Sequence, residues 1–169
     1  ISTIQFAHLL QAYQPNSRSK VISFDTFDSK FPRLRADEKG AVQQLMNGYE
    51  ETALQQLTDA LHSLKLSDRV TIVEGDIVET FPNYLENNPG FRIALLHCDL
   101  DAYEPTIHIL KAAWSRIVSG GIVVFDEYAV EDWGESDAAD EFFASLKNPP
   151  KLKHLTTSPT PTAYCVKGE

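Results

Sequence analysis

Four short apolar runs, each ending against carboxylates, limit how this chain can fold more than any other feature. They are Val21-Ile22-Ser23-Phe24, Val70-Thr71-Ile72-Val73, Ile93-Ala94-Leu95-Leu96 and Ile122-Val123-Val124-Phe125. Their apolar residues are continuous rather than alternating, the pattern of strands covered on both faces of a parallel sheet. Helical spacing lies between them. Ile1, Ile4, Ala7 and Leu10 share one face, as do Ala53, Leu54, Leu57, Leu61 and Leu64. A further helix is expected to start near Pro105, to carry Ile107, Leu110, Trp114, Ile117 and Val118 on one face, and to stop at Gly120-Gly121. Phe142, Phe143 and Leu146 read as core residues of another helix. Alternating helix and strand predicts an α/β fold with a doubly wound, mostly parallel sheet and right-handed crossovers. Near the C-terminus, Lys153 to Thr157 and Thr162 to Val166 flank Ser158-Pro159-Thr160-Pro161. That reads as an antiparallel hairpin closing one sheet edge.

The 169 residues suit one such domain, and 43% hydrophobic with 23% charged residues is ordinary globular composition. A net charge of -9 without a basic stripe argues against a nucleic-acid partner. Lys30, Arg33, Arg35 and Lys39 stand among Asp28, Asp37 and Glu38, which reads as a solvated loop. No stretch approaches the roughly 20 apolar residues of a membrane span, so no membrane association is expected. Ile1 to Tyr13 is amphipathic and lacks the pattern of a signal peptide. Cys98 and Cys165 have no CxxC spacing and read as buried thiols of a reducing, cytoplasmic compartment.

The carboxylates carry the functional reading. Asp25 follows the first run, Glu74 and Asp76 the second, Asp99 and Asp101 the third, Asp126 and Glu127 the fourth. In open parallel sheets ligands bind at the carboxyl ends of the strands, so these acids gather on one rim. Any one alone is most simply a loop residue or a helix cap; four strand ends in register are harder to read that way. Asp99, Asp126 and Glu127 would repel one another unless a cation or protons compensate. An all-oxygen donor set favours Mg²⁺, which would lower the pKa of an acceptor hydroxyl. Asp99, Asp101 and His97 are the candidate catalytic residues, and the choice of base among them stays open; His97 also reads as a strand-end histidine with a structural hydrogen bond. Asp25, followed by Thr26 and Phe27, is placed to bind ribose hydroxyls, and Asp76, followed by Ile77, could approach an adenine. Tyr103 and Tyr128 flank the metal candidates, and Trp133 reads equally as an acceptor contact or as packing.

Three segments make the chain resemble the macrocin O-methyltransferase family, which methylates sugar hydroxyls of macrolide antibiotics. They are Val21 to Phe27, His97-Cys98-Asp99-Leu100-Asp101-Ala102-Tyr103, and Gly121 to Tyr128. The His-x-Asp-x-Asp-x-Tyr pattern is the most specific. The resemblance implies a class I, Rossmann-like methyltransferase with S-adenosylmethionine as cofactor and a Mg²⁺ site. It maps metal ligation onto Asp99, Asp126 and Glu127 and ribose binding onto Asp25. The family often has a second Asp at Glu127, so the longer side chain shifts that ligand's geometry. Residues 28–48 are expected to form a lid or acceptor loop. The partner is a small-molecule hydroxyl acceptor, with sugar, polyketide and small phenol all open, and related enzymes commonly form homo-oligomers.

Such a fold needs a first central strand and a Gly-rich turn, whereas Ile1-Ser2-Thr3 reads like residues just after that turn. The expectation is therefore a single, N-terminally incomplete domain. Two rivals remain. Ile122 to Glu127 matches the strand-Asp-Glu of a P-loop nucleotide hydrolase, but Ile1 stands where that loop has its Lys. A non-catalytic Rossmann-like binding module would keep the fold without the reaction. A dinucleotide oxidoreductase is weaker, since its glycines would lie upstream.

Overall fold

The structure is a computed structural model that describes residues 2–28, 31, 33–40, 52–156 and 160–169. The chain divides into two compact units, Ile1–Lys30 with Gly48–Thr80, and Phe31–Asn47 with Phe81–Glu169.

The first unit holds α1 (Ser2–Tyr13), β1 (Val21–Asp25), α2 (Ala53–Ser63) and β2 (Val70–Glu74). β1 and β2 run parallel, with Val21 opposite Val70 and Asp25 opposite Glu74. The apolar stripes of the two helices form its core. Ala7, Leu61, Leu66 and Val70 are buried, with Ile4, Val21, Leu57 and Ile72 packed against them. Arg69 ties the α1–β1 link to the start of β2 by donating to the carbonyls of Pro15 and Ser17. At the far end of the pair the Gly75 amide donates to the Asp25 carbonyl at 2.9 Å. Gly75 has φ +124°, a conformation that suits glycine. The turn leads into α3 (Ile77–Asn87), which runs across the boundary between the units.

The second unit contains β3 (Ile93–Cys98), α4 (Tyr103–Ala113), β4 (Ile117–Phe125), α5 (Glu135–Ala144), β5 (Lys153–His154) and β6 (Ala163–Val166). Its strand order is β3-β4-β6-β5. β3 and β4 are parallel, while β6 is antiparallel to both β4 and β5. The α/β class with mostly parallel strands and an antiparallel C-terminal hairpin is therefore as expected, with β5 shorter than the sequence suggests. Residues 157–159 of its expected turn lie outside the described residues. The interior combines Ile107, Leu110 and Ala113 of α4, Ala138, Ala139, Phe142 and Phe143 of α5, and Cys98, Val123, Phe125, Ala163 and Cys165 of the sheet. Trp114 meets Phe142 and Phe143 edge-on at 5.4 and 5.7 Å, and Phe143 meets Phe125 at 6.0 Å. These offset geometries suit the ring quadrupoles. Leu146, expected on the helix, is half-buried beyond its end.

Two expectations need correcting. The helix from Tyr103 ends at Ala113, not at Gly120-Gly121. A 3₁₀ turn, Trp114–Arg116, follows, and Ile117 and Val118 already belong to β4. The physical reason is a cap from far along the chain: Lys167 Nζ donates to the carbonyls of Trp114 and Ile117 at 2.6 and 2.7 Å. This satisfies carbonyls a helix end leaves open. Gly120 and Gly121 instead form a bulge. Ile93 pairs with Ile117 and Leu95 with Ile122, so β4 spends extra residues there, and Gly120 takes φ +77°. Among the described residues, β3 is not covered on both faces. Leu95 is 42% exposed and its register partner Ile122 37%.

A Cβ at Gly121 would stand 2.7 Å from Ile117 Cγ2 and 2.9 Å from the Val118 carbonyl, whereas one at Gly90 would meet nothing within 4 Å. Gly121→Ala is therefore expected to lower stability by about 1–3 kcal/mol, the usual scale for overpacking, and Gly90→Ala to leave it nearly unchanged. Urea denaturation midpoints of the two variants check this.

Candidate active site

In the second unit β3 and β4 end together, with Cys98 opposite Phe125, and the Asp126 amide donates to the Cys98 carbonyl at 2.9 Å. Asp99 and Asp126 therefore leave adjacent strand ends side by side. His97, the penultimate residue of β3, lies 3.2 Å through Nε2 from Asp126 Oδ1, and both side chains are largely buried. A carboxylate can only accept, so Nε2 carries the proton in this pair. Burial, then the charges of Asp126 and Asp99, raise the Glu127 carboxyl above its ordinary pKa. The structure thus brings Asp99, Asp126, Glu127 and His97 together, and Asp101 follows in the same loop at φ +60°. Among the described residues no three His, Cys, Asp or Glu side chains form a ready-made metal cage.

The expected cofactor residues fall in the first unit. Asp25 ends β1, and its Oδ1 accepts the Phe27 amide at 2.9 Å, an Asx turn that holds Phe27 at φ +54°. Thr26 lies inside that turn. Asp76 caps α3, with Oδ1 accepting the Val78 amide at 2.9 Å, and Ile77 opens the helix. Asp76 thus has the capping role that is the bland reading of an acid after a strand.

Two buried carboxyls that the sequence reading passed over hold the rim loops. Glu135, in the first turn of α5, is fully buried, and its Oε1 accepts the Glu127 amide at 2.9 Å. Its Oε2 has no hydrogen-bond partner among the described residues. Burial and the charges of Asp101 and Asp126 push its pKa up to about 8, against the pull of the Glu127 and Leu100 amides. Glu38, expected in a solvated loop, is 1% exposed. Its Oε1 accepts the Tyr103 amide and its Oε2 the Arg35 amide, both at 2.7 Å. The first of these satisfies an open donor at the α4 N-terminus, where negative charge is favoured. Gly134 makes room: a Cβ there would stand 1.9 Å from Glu38 Oε1 and 2.6 Å from the Tyr103 nitrogen. Only position in the fold marks these two acids out, since nothing in Ala36-Asp37-Glu38-Lys39 or Gly134-Glu135-Ser136-Asp137 signals an inward side chain.

In the rest of the described 33–40 segment Asp37 and Lys39 are exposed as expected, while Arg33 and Arg35 are held against the helices. Arg33 pairs with Glu104 at 3.0 Å and Arg35 with Asp137 at 2.7 Å, and the Arg35 guanidinium lies 4.5 Å above the Tyr103 ring. The remainder of the expected lid, residues 29, 30, 32 and 41–48, lies outside the described residues. The Tyr103 and Tyr128 hydroxyls donate to Glu141 and Asp140 of α5. Trp133 is half-buried.

The Glu135 shift has a consequence for stability. With its pKa near 4.5 unfolded and about 8 folded, the native state holds a proton the unfolded state has lost between those values. Stability gained from that proton is complete below about pH 4.5 and is lost as pH rises toward 8. Without divalent cations, unfolding midpoints of the full-length protein are expected to fall over this range, and to fall less steeply in Glu135→Gln. Equal slopes would contradict the assignment.

Residues 4–128 match a family described as a methyltransferase domain. The chain is 26% identical over 130 residues to the mycinamicin III 3''-O-methyltransferase of Micromonospora griseorubida, covering 72% of this chain and 48% of that protein. It is 27% identical over 135 residues to the 8-demethyl-8-(2,3-dimethoxy-alpha-L-rhamnosyl)-tetracenomycin-C 4'-O-methyltransferase of Streptomyces olivaceus, covering 77% and 49%. It thus spans about half the length of these curated relatives. Among solved structures it is similar to CalS11, a calicheamicin methyltransferase, with 33% identity and a TM-score of 0.83 over 97% of this chain and 66% of that one. The apo structure of CalS11, described as a TDP-rhamnose 3'-O-methyltransferase, gives 32% identity and a TM-score of 0.71 over 97% and 65%.

Proposed function

Because this chain belongs to the methyltransferase-domain family that its residues 4–128 match, we propose that it is the catalytic part of an S-adenosylmethionine-dependent, Mg²⁺-assisted O-methyltransferase acting on a sugar or small natural-product hydroxyl. The observation that carries this reading is the convergence of Asp99, Asp126 and Glu127 at the paired ends of β3 and β4, where Asp126 and Asp99 both act on the Glu127 carboxyl. The family match runs through both units, which supports treating them as one methyltransferase domain. The printed names of two relatives contain rhamnose-type sugars, which supports a sugar hydroxyl.

The residues fit a Mg²⁺ site through their chemistry. All donors are oxygens and their charges oppose one another, and Mg²⁺ keeps several waters, so one or two carboxylates with substrate oxygens suffice. Asp99, Asp126 and Glu127 would hold the ion. When bound, Mg²⁺ supplies a Lewis acid and S-adenosylmethionine the methyl group. His97 holds the Asp126 carboxylate through Nε2–H, so that nitrogen is unsuited to act as base. Asp101 or Asp99 then takes the acceptor hydroxyl proton. Asp25, with Thr26 and Phe27, binds the cofactor ribose, and Asp76, with Ile77, its adenine. The pinned 33–40 segment belongs to the acceptor loop. A homo-oligomeric, cytoplasmic enzyme completes the reading.

The test is methyl transfer from S-adenosylmethionine to TDP-rhamnose by the full-length protein, followed by product mass. Turnover with Mg²⁺ is expected, with loss in chelator. Asp126→Asn, which replaces a direct ligand, is expected to reduce it by at least the roughly 100-fold that marks the upper range for losing an outer partner of a metal site. Undiminished turnover in chelator would overturn the metal role.

A further inference from the structure

A glutamate in the first turn of a helix ordinarily points to solvent and serves its own helix's open amides. Glu135 does neither. It is fully buried, and its Oε1 accepts the amide of Glu127 in a different loop. That amide lies in the peptide plane joining the Cα atoms of Asp126 and Glu127. The plane is rigid, so a hydrogen bond to it holds in one place the backbone segment from which both side chains depart. Two more residues of α5 bind the same loop: Ser136 Oγ accepts the Ala129 amide at 2.6 Å, and Asp140 Oδ1 accepts the Tyr128 hydroxyl at 2.7 Å. Ala129 and Asp132 both adopt positive φ there, at +64° and +69°. Such backbone persists only where its surroundings over-determine it. An apolar side chain would fill the Glu135 volume without the cost of burying a carboxyl, so packing does not account for an acid at this position.

We infer that Glu135 is a positioning residue: by holding the Glu127 amide it sets where the Asp126 and Glu127 carboxylates stand, and thereby governs divalent-metal binding, an assignment that rests on the metal reading above. The essential property is an acceptor at the reach of Oε1. Gln keeps that reach, and Asp keeps the carboxylate but is one methylene shorter.

Mn²⁺ binding to the full-length protein, read by electron paramagnetic resonance with melting temperatures as a check on folding, separates the two properties. Glu135→Asp is expected to weaken Mn²⁺ about 10- to 100-fold, as loss of outer partners of metal sites does, while Glu135→Gln stays within about threefold of wild type. The reverse order would assign the effect to charge and overturn the proposal. So would equal affinities in all three proteins, or equal weakening in both variants. A wild-type protein that binds S-adenosylhomocysteine but not Mn²⁺ would remove the metal reading and this assignment together. Wild-type binding that neither variant disturbs would remove only this assignment.

Discussion

The hydrogen bond from the Asp126 amide to the Cys98 carbonyl closes the last pair of the parallel ladder of β3 and β4, Cys98 with Phe125. The arrangement of the rim follows from that bond. It prevents the two loops from diverging, so the acids that follow the strands emerge together. The crowding is visible in Glu127, whose carboxyl resists ionisation partly because Asp126 and Asp99 are charged nearby. Like charges gathered in this way repel one another unless a cation or protons compensate.

Loops that carry mutually repelling side chains need holding, and here the holding groups are themselves acids. Glu38 binds the start of α4, and Glu135 binds the loop after β4, with Gly134 leaving room for Glu38 beside Tyr103. Burying a carboxyl is costly unless backbone amides answer it. Glu38 is answered at both oxygens, whereas Glu135 is answered at Oε1 and left without a partner at Oε2 among the described residues. Burial raises the Glu135 pKa against the pull of the Glu127 and Leu100 amides. Helix α5 is the common anchor: its first three turns bind Glu127, Tyr128, Ala129, Tyr103 and Arg35 through side chains.

What could be read from the sequence was what depends on local pattern. The strand ends were legible because short apolar runs are closely followed by Asp25, Glu74, Asp99 and Asp126, and the His97 to Tyr103 segment carried the family resemblance later matched by the methyltransferase domain. The end of α4 was not legible, because the group that closes it, Lys167, lies some fifty residues downstream. Gly120-Gly121 has the local signature of a helix stop but serves a bulge. Glu38 and Glu135 were hidden for another reason: charged residues default to the surface, and only tertiary placement beside unanswered backbone amides turns them inward. Arg33 and Arg35 were misread on the same default.

Calorimetric titration of S-adenosylhomocysteine into the full-length protein tests the central claim most directly. Saturable binding with single-site stoichiometry is the result this account requires, weakened when Asp25 is replaced by Ala. A folded, full-length protein that takes up no S-adenosylhomocysteine would contradict it.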